Sequence, residues 1–382
     1  MSSSKYMSGI IIVVTFLCAC ILFSTALLYG AGSQYTMYKR LQRCMVSSAS
    51  GCKSAAPAPF PIDVVTLWVD GTDAAWRQGV KEARAAAGGD KMHDHDLSRD
   101  PVVSIVGIYD ELYYSIRSVI LNMPFTRTVY IVTQRPHRPA WLTDSPTFKN
   151  IVVIHHDEFF DARVVRPTYN SNVIEAQVCR ISGLAEHFIL LNDDLFITLP
   201  TRANDFFDSA GKPIVPHRDV RELRPSAWRR CLDYGGMLSR CLAYNGTFAY
   251  TPHVPVPVRK TDMARLLQFF ENDVLRMQPL RTTADFSLHN IASNVFADAN
   301  SRITYMYYSS DAHFKHDRNI YDTVCINDGF GDGCRKRLGE LLDMAEEVAQ
   351  RSKATPVMEE STEGDGEEAA NNASDDADGD NE

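Results

Sequence analysis

The sequence lacks a strong excess of either charge once its acidic end is set aside. Residues 359–382 contain eleven acidic side chains and no Lys or Arg, whereas the whole chain of 382 residues carries a net charge of −9. This leaves a net charge of +2 on the chain before residue 359. A nearly neutral body lacks the basic surface typical of nucleic-acid-binding proteins, so no nucleic-acid partner is expected.

Cysteine pairs at the spacing typical of zinc sites are also absent. None of the nine cysteines forms a CxxC pair, so cysteine spacing predicts no structural zinc site. Cys231 with Cys241, and Cys325 with Cys334, have spacings that would let disulfides close small loops in an oxidising compartment. Seven cysteines follow the apolar N-terminal stretch, so an odd one would stay free or pair between chains.

Charged residues are missing from residues 9–32, GIIIVVTFLCACILFSTALLYGAG, a run long enough to span a bilayer. Its length and the lack of a clear cleavage site favour a retained single-pass anchor over a cleaved signal peptide. Basic residues lie on both sides of the run, so charge alone does not fix the orientation. The glycosylation sequons at Asn245 and Asn372 favour a luminal body at a Golgi or other secretory-pathway membrane.

Composition also bounds the folded part of the chain. A short tail, residues 1–8, precedes the anchor, and residues 33–60, rich in Ser, Ala and Pro, are typical of a linker. Residues 361–382 lack the aliphatic side chains needed to bury surface, and the tail at residues 353–382 is expected to be disordered. The folded body is therefore predicted to be residues 61–352.

Strand and helix patterns alternate along this body. Apolar runs predict strands at residues 62–69, 128–133, 150–156 and 187–192. Apolar residues at helical spacing predict helices at residues 73–87, 110–123, 171–184, 263–277, 285–296 and 335–352. This alternation predicts an α/β fold with a mostly parallel sheet flanked by helices, and the second half of the body packs on that sheet.

Three predicted strands end in polar clusters, where ligands bind in open α/β sheets. The clusters are Asp70-Gly71-Thr72-Asp73, Thr133-Gln134-Arg135 and Asn192-Asp193-Asp194. A carboxylate pair there can hold Mg²⁺ or Mn²⁺ against a diphosphate, because hard cations prefer oxygen ligands. The alternative is that these side chains cap the following segment.

Other polar residues are candidates only in combination. His253 lies in the proline-restricted stretch TPHVPVPV, and Arg281 precedes a predicted helix, but a structural histidine and a surface ion pair are the plain alternatives. Asn327-Asp328-Gly329 fits a simple turn, and the cluster at residues 93–96, HDHD, fits a solvated loop.

Taken in order, these segments resemble a known family. The blocks IDVVTLWVDGTDAAW, DELYYSIRSV, FILLNDDLF, TPHVP followed by Arg281, and VCINDG occur in the order of the four conserved blocks of the Stealth family of sugar-1-phosphate transferases. The resemblance covers about residues 61–330. It implies a nucleotide-sugar-transferase-like fold, a nucleotide-sugar donor, a glycan acceptor and a divalent cation, and it leaves a homodimer open.

The resemblance also assigns roles to individual positions. It implies catalytic roles for His253, Asp194, Arg281 and Asp328. It implies metal binding by Asp194, Glu175 and Asp193. It implies substrate binding by Asp70, Gly71, Glu111, Arg117, Arg180, Asn192 and Asn327.

Four departures from the family pattern bear on specificity. The polar run before the second block is Gly107-Ile108-Tyr109 here, and the family's arginine before Tyr-Ser is Tyr113. The T-N-G after the second strand is Thr133-Gln134-Arg135, and the second acid of the fourth block is Gly329. These changes point to a different substrate, while the matching His, Arg and carboxylate positions favour retained activity.

The resulting hypothesis is transfer of hexose-1-phosphate from UDP-N-acetylglucosamine or GDP-mannose to a glycan hydroxyl, which forms a phosphodiester. Two alternatives remain open. The first is a metal-dependent glycosyltransferase, which moves the sugar alone. The second is an inactive, membrane-anchored glycan-binding protein.

Overall fold

A computed structural model describes most of the predicted body. The described residues are 59–87, 111–143, 146–223, 227–299, 301–308, 321–326 and 332–354. The predicted anchor at 9–32, the linker, the 93–96 cluster and most of the acidic tail lie outside these ranges. Among the described helices, none combines the length and the apolar composition needed to cross a bilayer.

The described residues form ten strands, and five of these strands make the main sheet. The strands are β1 (Ile62–Leu67), β2 (Thr126–Thr133), β3 (Ile151–His155), β4 (His187–Asn192), β5 (Leu195–Ile197), β6 (Arg218–Asp219), β7 (Ala249–Tyr250), β8 (Val256–Arg259), β9 (Tyr305–Tyr308) and β10 (Thr323–Ile326). The order in the main sheet is β3-β2-β1-β4-β8. Its first four strands are parallel and β8 is antiparallel to β4, which confirms the predicted mostly parallel sheet.

Nine helices accompany these strands in the described ranges. They are α1 (Ala74–Ala86), α2 (Glu111–Asn122), α3 (His156–Phe159), α4 (Ser171–Gln177), α5 (Ala227–Arg240), α6 (Lys260–Phe269), α7 (Glu271–Arg276), α8 (Leu288–Phe296) and α9 (Asp332–Ala354). The predicted helices at 73–87, 110–123, 285–296 and 335–352 are confirmed to within three residues at each end. Helix α5 was not predicted, although its buried residues recur at helical spacing.

Both faces of the main sheet are buried, which explains the continuous apolar strands. On β4, Phe188 and Leu190 pack on one side with α6 and α8, whereas Ile189 and Leu191 pack on the other side with α2. Side chains alternate between the faces of a strand, so a strand covered on both faces needs apolar residues at every position. Burial of each such side chain contributes about 1.5–3 kcal/mol.

Two predicted helices differ from the structure. The helix predicted at 171–184 ends at Gln177 and continues only as a 3₁₀ turn, and Gly183 then adopts a left-handed backbone with φ of 79°. The helix predicted at 263–277 is two helices, α6 and α7, that meet at Phe270. The Phe270 ring is buried against Phe286, so tertiary packing overrides the helical periodicity there.

The suggested disulfides are wrong, because each cysteine in the described ranges is a thiol that belongs to no disulfide. Cys231 lies in α5 and Cys241 just beyond its end, and ten residues of helix separate two positions by about 15 Å. Cys325 packs with the sheet side of β10, whereas Cys334 packs with Val324 and Ile326 on its other side. Neither pair meets the short distance that a disulfide requires.

A second sheet of three strands places β9 and β10, which come late in the chain, beside β5, which directly follows β4. The order is β5-β10-β9, with β5 antiparallel to β10. Helix α9 then packs on α2, where Arg117 forms ion pairs with Asp343 at 2.7 Å and Glu346 at 2.8 Å. Strand β10 is thereby held against the turn that follows β4.

Candidate functional site

A cavity of about 730 Å³ opens at the carboxyl ends of β1, β2 and β4. Parallel strands present their carboxyl ends on one edge, so the polar residues that follow each strand meet there. Six predicted site residues line this cavity: Glu175, Asn192, Asp193, Asp194, His253 and Arg281. The structure therefore brings these distant segments to one cavity, and the roles of the six residues stay predictions.

Asp194 lies at the inner end of the cavity in the tight turn between β4 and β5. Both Asp193 and Asp194 are buried. The Asp194 Oδ2 atom accepts a hydrogen bond from the thiol of Cys325 at 3.4 Å and lies 4.0 Å from Nδ1 of His253. The Cys325 Sγ and His253 Nδ1 atoms are themselves 3.4 Å apart. An oxygen, a nitrogen and a sulfur therefore face one small volume.

The protonation of this group follows from its contacts. Burial raises the pKa of the Cys325 thiol, and the nearby Asp194 carboxylate raises it further, so the thiol keeps its proton at neutral pH. The thiol proton can be donated to Oδ2 of Asp194 or to Nδ1 of His253, and when it is donated to Asp194 the contact between sulfur and Nδ1 has Nδ1–H of His253 as the donor. This tautomer leaves the Nε2 lone pair of His253 available.

Helix α8 fixes the segment that carries His253. The buried Asn290 side chain accepts a hydrogen bond from the Thr251 backbone N–H at 3.0 Å. One helical turn further, Asn294 accepts from the Ala249 N–H and donates to its carbonyl, both at 2.8 Å. Two asparagines at i and i+4 thus take the place of a neighbouring strand for this backbone.

Replacing Asn294 with Ala is expected to lower the free energy of unfolding by about 3 kcal/mol. The substitution leaves a half-buried backbone N–H and C=O at Ala249 without their partner, and each such group costs about 1–3 kcal/mol. Urea unfolding measures the change. Gln78→Ala is the control, because Gln78 is an exposed helical residue bonded only to Glu82, and its loss should stay within about 0.5 kcal/mol.

Glu175 does not join the group around Asp194. Its Oε2 atom lies 2.6 Å from Nδ1 of His289, which also lies 2.9 Å from the Ser287 hydroxyl. Both Glu175 and His289 line the cavity. The predicted metal ligand Glu175 is therefore paired with a histidine on a different wall of the same cavity, and its metal role stays a prediction.

Two arginines supply positive charge to the lining. Arg281 follows α7 and precedes α8, and Arg218 lies in β6 with its guanidinium bonded to the Tyr305 hydroxyl at 2.5 Å. Guanidinium groups bind phosphate oxygens through charge-assisted hydrogen bonds, so this wall suits a phosphorylated ligand. The sequence pointed to Arg281 only.

Several predicted substrate-binding residues lie elsewhere or have other partners. Asp70 accepts hydrogen bonds from the backbone and hydroxyl of Thr72, which is the turn-capping alternative, and Gly71 lies in that turn. Arg117 holds α9 on α2, and Arg180 pairs with Asp161 at 3.2 Å on the surface. None of these four residues lines the cavity, and their substrate-binding roles stay predictions.

Three further predicted residues lie at the start of α2 and in the fourth block. Glu111 begins α2, and its charge contributes to the raised pKa of the Cys325 thiol, which places it near that group. Asn327 and Asp328 directly follow β10 but lie outside the described residues. Their predicted roles stay predictions.

Aromatic side chains line the cavity near the end of β1 and the start of α1. Trp68 follows β1, and Trp76 of α1 packs edge-on against Tyr169 with ring centroids 5.9 Å apart. Gln134 and His156 complete this wall at the ends of β2 and β3. Flat aromatic surfaces beside a few polar groups are typical of sites for nucleotide bases and sugars.

His156 is expected to make the fold acid-sensitive between pH 6.5 and 4. Burial against Phe160 lowers the pKa of this imidazole from 6.5 to about 4. The unfolded chain therefore binds a proton that the folded chain refuses in this interval, so stability falls as the pH falls and reaches its floor below pH 4. The shift corresponds to about 3 kcal/mol, and about 2 kcal/mol is expected because the ring is only half-buried.

The variant His156→Phe keeps a ring on Phe160 and removes the titration. The free energy of unfolding of the variant and of the native protein is measured by urea titration at pH 7 and at pH 4.5. Between these two pH values, it should fall by about 2 kcal/mol less in the variant than in the native protein. An equal fall in both proteins would show that His156 is not the responsible group.

The described residues include one mixed group that could hold a divalent cation: Asp194, His253 and Cys325. A single carboxylate oxygen with a nitrogen and a sulfur is a poor set for Mg²⁺, which prefers oxygen alone. Asp193, beside Asp194 in the turn, offers a second carboxylate to the cavity. The residues present therefore fit a divalent cation. Mg²⁺ or Mn²⁺ would be coordinated by the carboxylates of Asp193 and Asp194 and by oxygen atoms of a bound ligand.

Cys325, His289 and Arg218 were missed by sequence reasoning. Cys325 had a usable signal, because it stands two residues before Asn327 in the VCINDG block. His289 stands inside an amphipathic helix, where a lone histidine carries no pattern. Arg218 belongs to an irregular segment without any motif.

Comparison with known proteins identifies the segment around the two acids. The family model described as Stealth protein CR2, conserved region 2, matches residues 107–215. An exopolysaccharide phosphotransferase of Streptomyces coelicolor is 38% identical over 201 residues, which cover 52% of this chain and 32% of that protein. A capsular polysaccharide phosphotransferase of Neisseria meningitidis is 30% identical over 243 residues, covering 60% of this chain and 63% of that protein.

The chain spans less than two thirds of the length of each of these relatives. Among solved structures, a galactosyltransferase in complex with donor and acceptor sugar analogues superposes with a TM-score of 0.36 at 11% identity, over 75% of this chain and 95% of that chain. Similarity of that degree falls below what a shared fold requires. The sequence relatives alone therefore bear on the family.

Proposed function

We infer that this chain belongs to the Stealth family of sugar-phosphate transferases. On that premise we propose that it moves hexose-1-phosphate from a nucleotide sugar to a hydroxyl of a glycan. The product is a phosphodiester, and the leaving group is a nucleoside monophosphate. UDP-N-acetylglucosamine and GDP-mannose are the two proposed donors.

One observation carries the proposal: a single cavity holds the Asp193-Asp194 turn, His253 and the two arginines. A nucleotide sugar needs a place for its base and sugar, cations for its diphosphate and a base for the acceptor. The aromatic wall at Trp68, the arginine wall and the Asp194 group supply these three in one volume of about 730 Å³, which is the size of a site for a molecule of that class.

The proposed reaction is a displacement at the β-phosphorus of the donor. The acceptor oxygen bonds to that phosphorus, the bond to the α-phosphate oxygen breaks, and the acceptor proton passes to Nε2 of His253. Arg281 and Arg218 bind the phosphate oxygens on which negative charge accumulates. A divalent cation held by Asp194 and Asp193 would supply further positive charge to the diphosphate.

The proton transfer is assigned to His253 from its contacts. Its Nδ1–H faces Cys325 and Asp194, so Nε2 is the nitrogen left for the acceptor, and its side chain is 40% exposed. Glu175 with His289 would hold a second imidazole in the same cavity. A carboxylate that orients an imidazole through Nδ1 is a common way to keep the other ring nitrogen basic.

An assay with donor labelled at the β-phosphate tests the proposal. Transfer of the sugar phosphate places the label in the glycan product and releases UMP or GMP. Transfer of the sugar alone leaves the label in nucleoside diphosphate, and this result would support an ordinary glycosyltransferase. Screening UDP- and GDP-sugars with Mg²⁺ and Mn²⁺ present identifies the donor at the same time. No turnover of any donor would contradict both activities.

A further inference from the structure

The three atoms around Asp194 form a geometry that differs from the expected site for a hard cation. Oδ2 of Asp194, Sγ of Cys325 and Nδ1 of His253 are separated by 3.4 Å, 3.4 Å and 4.0 Å. Asp194 lies in a turn, Cys325 in a strand and His253 in a loop. Along the chain, Cys325 is 131 residues from Asp194 and 72 residues from His253. The missing CxxC pair gave no hint of them, because their proximity exists only in the folded chain.

These separations match those of ligand atoms around a tetrahedral zinc ion. With zinc bonds of about 2.3 Å to sulfur and about 2.0–2.1 Å to nitrogen and oxygen, neighbouring ligand atoms lie about 3.3–3.6 Å apart. We propose that Asp194, His253 and Cys325 form a zinc-binding site that inhibits this protein. Only the pair at 4.0 Å needs to close, and it involves the half-exposed ring of His253.

The ligand types select zinc over the cations proposed for the reaction. Thiolate and imidazole ligands favour Zn²⁺ strongly over Mg²⁺, and the general affinity order also places Zn²⁺ above Mn²⁺. Asp194 and Cys325 are both buried, so the ion would be held on its protein side by fixed groups. The cavity leaves a fourth position for water.

Zinc binding would also remove the proposed catalytic base. Coordination through Nδ1 requires the ring proton of His253 to move to Nε2, so Nε2 can no longer accept the acceptor proton. The Cys325 thiol loses its proton to solvent on binding, and Asp194 is withdrawn from the reaction cation. This consequence rests on the proposed function, whereas zinc binding itself does not.

Cobalt substitution in the purified full-length protein tests the site without any donor. Co²⁺ bound to a thiolate gives a charge-transfer band in the near ultraviolet, and Zn²⁺ should displace Co²⁺ and remove the band. Cys325→Ser should abolish the band and weaken Zn²⁺ binding about 100-fold or more, since loss of an outer partner alone costs about 10–100-fold. Cys334→Ser is the matched control, because Cys334 is equally buried on the other side of β10 and should keep the band.

A second variant keeps the proposal testable if Cys325→Ser does not fold. His253 is 40% exposed, so His253→Ala should fold and should weaken Zn²⁺ binding at least about tenfold by isothermal titration calorimetry. A band that persists in Cys325→Ser, or unchanged Zn²⁺ affinity in His253→Ala, would overturn the assignment.

Inhibition is then measured in the labelled-donor assay. Zn²⁺ at ten times its dissociation constant should lower turnover about tenfold, and a chelator should restore it. Turnover with no zinc binding would refute this inference and leave the proposed function intact. Zinc binding with no turnover of any donor would support the zinc site and contradict the proposed function.

Discussion

Asp194→Asn is expected to lower kcat/KM for sugar-phosphate transfer about 1,000-fold, equivalent to about 4 kcal/mol of transition-state stabilisation. The amide has the shape of the carboxylate and can still accept a hydrogen bond from Cys325, so the fold should be retained. The lost negative charge removes the group proposed to hold the cation at the diphosphate. Turnover of labelled donor measures the loss, and thermal unfolding confirms that the variant is folded.

Asp233→Asn is the matched control for this substitution. Asp233 lies on α5 with its side chain 54% exposed and pairs with Arg229 at 3.0 Å, away from the cavity lining. Exposed ion pairs contribute little, so its activity should stay within about twofold of the native value. If Asp194→Asn kept more than about a tenth of the native activity, the role assigned to Asp194 would be wrong.

His253→Ala should lower kcat about 100- to 10,000-fold, the range typical for loss of a general base. The effect should fall on kcat more than on KM, because the ring is proposed to act on the proton rather than to hold the donor. The half-exposed position of His253 gives small molecules access, so added imidazole should restore part of the activity.

The control for His253→Ala is His155→Gln. His155 bonds to Glu158 at 2.9 Å and does not line the cavity, so its loss should leave kcat within about twofold. An active His253→Ala protein would refute the assignment of His253 as the base. In that case His289, oriented by Glu175, is the next imidazole to replace.

Much of the fold was predictable because local patterns and packing agree. The strands β1 (IDVVTL) and β4 (HFILLN) carry apolar residues on both of their faces, as expected for strands that are covered on both sides, and α2 shows a clear apolar stripe. The convergence of Asp194 and His253 followed from strand order and from the family resemblance. The NDD turn itself gave even odds between a ligand site and a cap.

The rest depended on contacts that sequence patterns do not encode. Phe270 interrupts a helical repeat because its ring packs on Phe286, and β5 is too short to give a periodic signal. Arg117 and Arg180 matched the family pattern, yet their partners are Asp343 and Asp161 outside the cavity. The contact of Cys325 with Asp194 arises only in the fold, where β10 pairs with β5 although 131 residues separate Cys325 from Asp194.

Pairing of β5 with β10 has a consequence for synthesis of the protein. Asp194 is translated near the middle of the chain, but its neighbour Cys325, in the strand that pairs with β5, is translated 131 residues later. Closure of so long a loop is slow and comes late in folding. A nascent or C-terminally truncated chain would therefore contain the parallel sheet without a finished site, so a ribosome-bound chain should not turn over donor before β10 has emerged.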